Sequence, residues 1–148
     1  MITQRSKYAL RALLMLAEQP EGRLVLISEI AERENVPKKF LELILLDVKR
    51  HGLLRSQRGR GGGYALARPA DSITFGEIIR ITEGPLAPIP CASLTGYQRC
   101  TDCDDEDACA IRKVMRRVRD AMSEILDRTT LADGVAMGQG AEALIAAG

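Results

Sequence analysis

The sequence contains no tryptophan, a single histidine, and five aromatic residues (three Tyr, two Phe) among its 148. A chain this poor in rings has little with which to build a stacking platform, which argues against RNA or single-stranded DNA as the main ligand. With only His51 available, there is no material for a Ser-His-Asp triad or a two-histidine metalloprotease helix. No nucleotide-binding glycine fingerprint follows a strand-like segment, so an enzyme is not expected. No apolar run approaches the roughly 20 residues that span a bilayer. The opening "MITQRSKYAL" lacks the apolar stretch and small-residue cleavage site of a secretory signal. The expectation is a cytoplasmic protein with no membrane partner.

What is present is ordinary in amount and uneven in placement. Hydrophobic residues make up 46% and charged residues 28%, as in a globular domain able to bury a core without disulfides. The net charge of +1 says little. Yet between Arg33 and Arg60 eight Lys or Arg face three Asp or Glu, while Thr101 to Ala108 holds five acids and no base. A basic region and an acidic loop point to two tasks on one chain.

Leu10, Leu13, Leu14 and Ala17 recur at i, i+3, i+4, i+7 and predict an amphipathic helix over residues 7–18, closed by the turn Pro20-Glu21-Gly22. A short helix over 28–33 turns Ile27, Ile30 and Ala31 inward. Pro37 suits the first position of a third helix, whose inward stripe is Leu41, Ile44, Leu45 and Val48. Lys49, Arg50 and His51 followed by Gly52 form its stop signal, and His51 reads as a capping or solvent-facing residue. Segments 53–57 and 64–67 flank the glycine-rich "RGRGGG", which predicts a β-hairpin ended by Pro69. "TFGE", Thr74 to Glu77, matches a capping box opening a helix that stops at Gly84-Pro85.

Three helices followed by a hairpin make a winged helix-turn-helix: mainly α, with one small β-hairpin. In that architecture the third helix enters the DNA major groove by its N-terminal end. Lys38, Lys39 and Phe40 lie there, outside the inward stripe. The hairpin tip, Arg58, Gly59, Arg60, Gly61 and Gly62, places arginines where they reach phosphates or an adjacent minor groove. Its glycines allow positive φ and close backbone approach.

The loop over 85–106 contains Pro85, Pro88 and Pro90 together with Cys91, Cys100 and Cys103, and Cys109 follows just beyond its end. Four thiols in one such stretch suggest a metal or redox site. Thiolates suit an iron–sulfur cluster or tetrahedral zinc, and neighbouring cysteines also suit a metal-free disulfide or persulfide switch. The acids Asp102, Asp104, Asp105, Glu106 and Asp107 disfavour a very reactive thiolate, and they are expected to serve the N-terminus of the long helix that follows. That helix, over 107–127, aligns Val114, Val118, Ala121 and Ile125, with Met115 and Met122 beside them, as a partner-facing seam.

"SKYALRALLMLA", "ISEIAERENVPKKFLELILLDVKRHGLLRSQRGRGGGYALARP", "ITFGEIIRITEG" and "ILDRTTLAD" resemble the IscR-type regulators over residues 1–135. The resemblance implies a homodimeric winged-helix transcription factor on a palindromic double-stranded operator, acting as a repressor. With the segments read above, four parts are expected: a DNA-binding domain over 1–84, a sensor loop over 85–106, a dimerisation helix with a short following segment over 107–135, and, from its small and weakly amphipathic residues, a flexible tail over 136–148. Family members respond to iron–sulfur status, nitric oxide, iron or cysteine supply, and cluster-binding members use three cysteines. Here Cys91, Cys103 and Cys109 match those positions, with five residues between the last two. Cys100 is an additional thiol and a candidate fourth ligand. Where some relatives carry a histidine after the last cysteine, this chain has Arg112.

Overall fold

The structure, a computed structural model, describes residues 2–141. Helix α1 (Gln4–Ala17) lies at the centre, and α2 (Ile27–Glu34), α3 (Lys38–Arg50), α4 (Phe75–Glu83), α6 (Leu131–Ala136) and the hairpin pack around it. Its burial is therefore broader than one stripe. Ala9, Ala12, Leu13, Met15 and Leu16 are all buried, whereas Leu10, Leu14 and Ala17 of the predicted face are only partly so. Ala9, Ala12, Leu13 and Leu16 still keep the i, i+3, i+4, i+7 spacing, so the core face is turned one residue from the predicted one and widened by Met15.

Helix α3 follows its predicted stripe, with Leu41, Ile44, Leu45 and Val48 buried. Pro37 sits at the N-cap, one position before the first helical residue. His51 is exposed at the other end and places Nδ1 2.8 Å from the Asp47 carbonyl. Strands β1 (Leu54–Gln57) and β2 (Gly63–Leu66) pair antiparallel, Leu54 opposite Leu66 and Gln57 opposite Gly63. Val25, ahead of α2, adds an isolated bridge to Tyr64 through two backbone bonds of 2.8 and 2.7 Å. The hairpin is thereby fastened to the helix-turn-helix.

The capping box at Thr74 is half formed. Thr74 accepts from the Glu77 backbone N–H, but the Glu77 carboxylate takes a two-pronged bond from Arg68 at 2.7 and 3.2 Å. A charged partner outcompetes a neutral backbone donor. The reciprocal box occurs instead at Thr130 and Asp133, opening α6.

Helix α5 (Ala110–Arg128) begins three residues later than expected, because Cys109 is its N-cap. Its far end is tied to the winged helix: Phe75 N–H donates to Thr129 O and Leu131 N–H to Ile73 O, both at 2.9 Å. Arg80 of α4 also pairs with Asp127. The expected loose tail begins with α6's last residue and the irregular turn Met137–Ala141. Its remainder, 142–148, lies outside the described residues.

Candidate nucleic-acid interface and cysteine loop

At 3.6 residues per turn, Lys39, Leu43, Leu46 and Arg50 fall on one ridge of α3, directly opposite its buried stripe. Lys38 and Lys39 open the helix. No acidic residue lies in that first turn, and the Pro37 N-cap supplies no side-chain acceptor. The positive helix end and two lysines thus share one surface, the arrangement that receives phosphate. Among the described residues, Lys38, Lys39, Arg50, Arg58 and Arg60 enter none of the ion pairs. Phe40 is less available than its place in the sequence implies: its ring packs edge-on against Tyr8 at 5.7 Å. That contact buttresses α3 against α1.

Two glycines show why the wing tip has this composition. A Cβ on Gly62 would meet the Gln57 carbonyl and lie 2.8 Å from the Gly59 oxygen, inside the turn. A Cβ on Gly63 would lie 2.5 Å from the Val25 carbonyl carbon and 2.9 Å from Leu26 N. The hairpin therefore closes on itself and on the strand-like Val25 only where side chains are absent. The turn leaves Arg58 and Arg60 exposed at the extremity. Lys49 Nζ donates to Ser56 Oγ at 2.6 Å, joining the end of α3 to the wing.

The cysteines are distributed unequally. Cys91 is buried in the 3-10 turn Pro90–Ala92, Cys100 is exposed, and Cys103 and Cys109 are intermediate. Burial, with the negative charge of Cys109, Cys100 and Glu106, pushes the Cys103 thiol up. Among the described residues no three His, Cys, Asp or Glu side chains are gathered as a metal ion would require.

Two arginines of α5, one heptad apart, hold the Cys91 turn. Arg112 Nε donates to the Cys91 carbonyl at 2.9 Å, with its guanidinium 6.0 Å from the Tyr97 ring centre. Arg119, only 7% exposed, donates to the Ala92 carbonyl and pairs with Asp120. A buried guanidinium requires such partners. The side-chain cap of α5 is not one of the acids, though Asp107 just ahead of it stands 4.0 Å from Arg112. Glu106 accepts from the Tyr97 hydroxyl and Asp105 from the Asp107 N–H, while Cys109 Sγ accepts from the Arg112 N–H at 3.4 Å.

The apolar side of α5 is uncovered. Ile111, Val114, Val118 and Ile125 are exposed, 65% and 66% at the two ends, and Ala121 completes a 3-4-3-4 spacing. The one buried residue of this helix is Arg119. A helix lying back on its own domain would show the reverse.

Sequence reasoning missed Leu43, Leu46, Arg112 and Arg119. Leu43 and Leu46 had a signal: "FLELILL" holds more apolar residues than one core face can seat, so the surplus must point outward. The arginine contacts had none, because their acceptors are backbone carbonyls.

The profile of a family described as iron-dependent transcriptional regulators, Rrf2, matches residues 2–136. A protein of Rhodobacter capsulatus named as an rrf2-like HTH-type transcriptional regulator is 45% identical over 98% of this chain and 99% of its own. The HTH-type transcriptional regulator CymR of Bacillus subtilis is 34% identical over 89% of this chain and 87% of its own. The solved structure of CymR, described as the global cysteine regulator of B. subtilis, superposes with a TM-score of 0.77 at 33% identity, covering 93% of this chain and 97% of that one. That of T. potens IscR gives 0.75 at 28% identity, covering 93% and 88%. With helix-turn-helix, wing and long carboxy-terminal helix all matched, the chain belongs to the Rrf2 family of DNA-binding transcriptional regulators and is not an enzyme.

Proposed function

We propose that two copies of this chain pair along α5 and bind a palindromic operator as a homodimer. Each copy sets the Lys38 end of α3 in a major groove and lays Arg58–Gly62 on the flanking phosphates or minor groove. The observation that carries this reading is the presence of two uncompensated surfaces: cations on α3 and the wing that join no ion pair among the described residues, and an apolar heptad stripe on α5. A dimer of this kind matches half-sites about one DNA turn apart. Occupying a promoter excludes polymerase, so repression is the expected outcome.

The cysteine loop is the sensing element, since it joins α4 to the start of α5 and can bias how two α5 helices meet. Thiolates are suitable donors for an iron–sulfur cluster, and Cys91, Cys103 and Cys109 would hold it, with Cys100 as the fourth. As placed, they do not fit such a group: among the described residues no three His, Cys, Asp or Glu side chains come together around one point. Tetrahedral zinc meets the same obstacle. Metal-free chemistry on the solvent-reachable thiols Cys100, Cys103 and Cys109 is the reading that remains, and the likeness to a cysteine regulator supports a sulfur-related signal.

Anaerobic purification with absorbance, iron, zinc and sulfide analysis, followed by titration onto DNA from beside the protein's own gene, tests both parts. Metal-free protein whose operator affinity changes when a peroxide or persulfide modifies the loop supports the reading. Stoichiometric iron and sulfide would replace the thiol switch with a cluster. A monomer in solution that ignores duplex DNA would remove the whole account.

A further inference from the structure

We propose that Leu43, with Leu46 beside it, reads thymine methyl groups on the floor of the major groove. The inference rests on the DNA-binding reading above and adds a specificity determinant to it. Leu43 is 64% exposed, and Leu46 and Phe40 are the other large apolar residues uncovered on α3. Phe40 is spoken for by Tyr8, which leaves Leu43 as the apolar side chain of α3 most open to solvent. The two leucines lie back to back with the core stripe, at i+4 and i+7 from Lys39, with Arg50 at i+11. The ridge therefore runs cation, leucine, leucine, cation.

That order selects the occupant. Cations at both ends with apolar side chains between them match a duplex groove, whose walls are phosphate and whose floor displays one apolar group, the C5-methyl of thymine. Neither leucine can accept or donate a hydrogen bond, so neither distinguishes guanine, cytosine or adenine by its polar edge. An apolar seam between protein copies is already supplied by α5, whose stripe is longer and follows heptad spacing.

The test uses the full chain. An operator is selected from a random duplex library, then resynthesised with deoxyuridine replacing thymidine one position at a time in both half-sites. Affinity is read by fluorescence anisotropy at fixed salt for wild type, Leu43→Ala and Leu46→Ala. Wild type should lose about fourfold for each methyl removed at one position of the half-site, the value of one buried methyl group. Leu43→Ala should bind the thymidine duplex more weakly by a similar factor and be indifferent to uracil at that position. Wild type indifferent to every uracil would overturn the proposal without recourse to a variant. So would a Leu43→Ala protein that keeps full uracil sensitivity, or one whose only change is in molecular mass by light scattering. Failure to enrich any duplex would instead sink the DNA-binding reading beneath it.

Discussion

Gly63→Ala places a methyl group against the backbone of Val25, where the wing is fastened to the helix-turn-helix. To accept it, the Val25–Tyr64 bridge must open, breaking backbone bonds of 2.8 and 2.7 Å. Each is worth about 1 kcal/mol net. Alanine must also hold φ near +139°, or drag the hairpin to a new conformation, at a cost of about 1–2 kcal/mol. The sum is about 3–4 kcal/mol. At about 2–4 °C per kcal/mol for a chain of this size, Tm should fall by about 10 °C. Gly61→Ala is the control: its φ is also positive, at +70°, but nothing lies within 4 Å of the added Cβ. It should cost only about 1 kcal/mol, from left-handed backbone strain. Thermal unfolding followed by circular dichroism reads both. If the two variants melt within a degree or two of each other, the bridge does not hold the wing and close approach to Val25 is not what requires glycine there.

Three further outcomes are expected. Val118→Asp puts a charge in the centre of the α5 stripe; light scattering should show monomer, and operator affinity should fall at least tenfold, whereas an unchanged dimer would locate the interface elsewhere. Hydrogen bonding from Arg80 holds the Asp127 carboxyl below its usual range, so the pair stabilises above about pH 4 and its contribution disappears as pH falls through the lowered value. Both partners are more than a third exposed, so screening limits the effect to under about 1 kcal/mol; wild type and Asp127→Asn should differ by that at pH 7 and converge at low pH in urea titrations. Arg58→Ala should flatten the slope of log affinity against log salt by about 0.9 for each phosphate the side chain neutralises, and an unchanged slope would remove this arginine from the backbone.

Much of the fold was legible because its signals are local. Pro37, the stripe from Leu41 to Val48, the cations before Gly52 and the glycines of the wing act over a few residues each, so reading them in order yields helices, turn and hairpin within a residue or so. The candidate interface was partly legible for the same reason: Lys38, Lys39, Arg58 and Arg60 are left over once the core is assigned. The packing of Phe40 was hidden because its partner, Tyr8, is on another helix. The cysteines were visible as a group, but whether four thiols gather is a matter of distance through space, which their spacing in the chain does not contain.

By itself, then, the order of residues determined which segments coil or pair, which surfaces carry charge, and that α5 has an apolar stripe, since propensity, periodicity and turn chemistry are near-neighbour properties. Only the tertiary structure decided that Arg112 and Arg119 grip the Cys91 turn, that Glu77 serves Arg68 in place of its own helix cap, and that Leu43 faces away from the core. Each of these depends on long-range packing that brings distant groups into competition for the same partner, and that competition is settled by burial and charge.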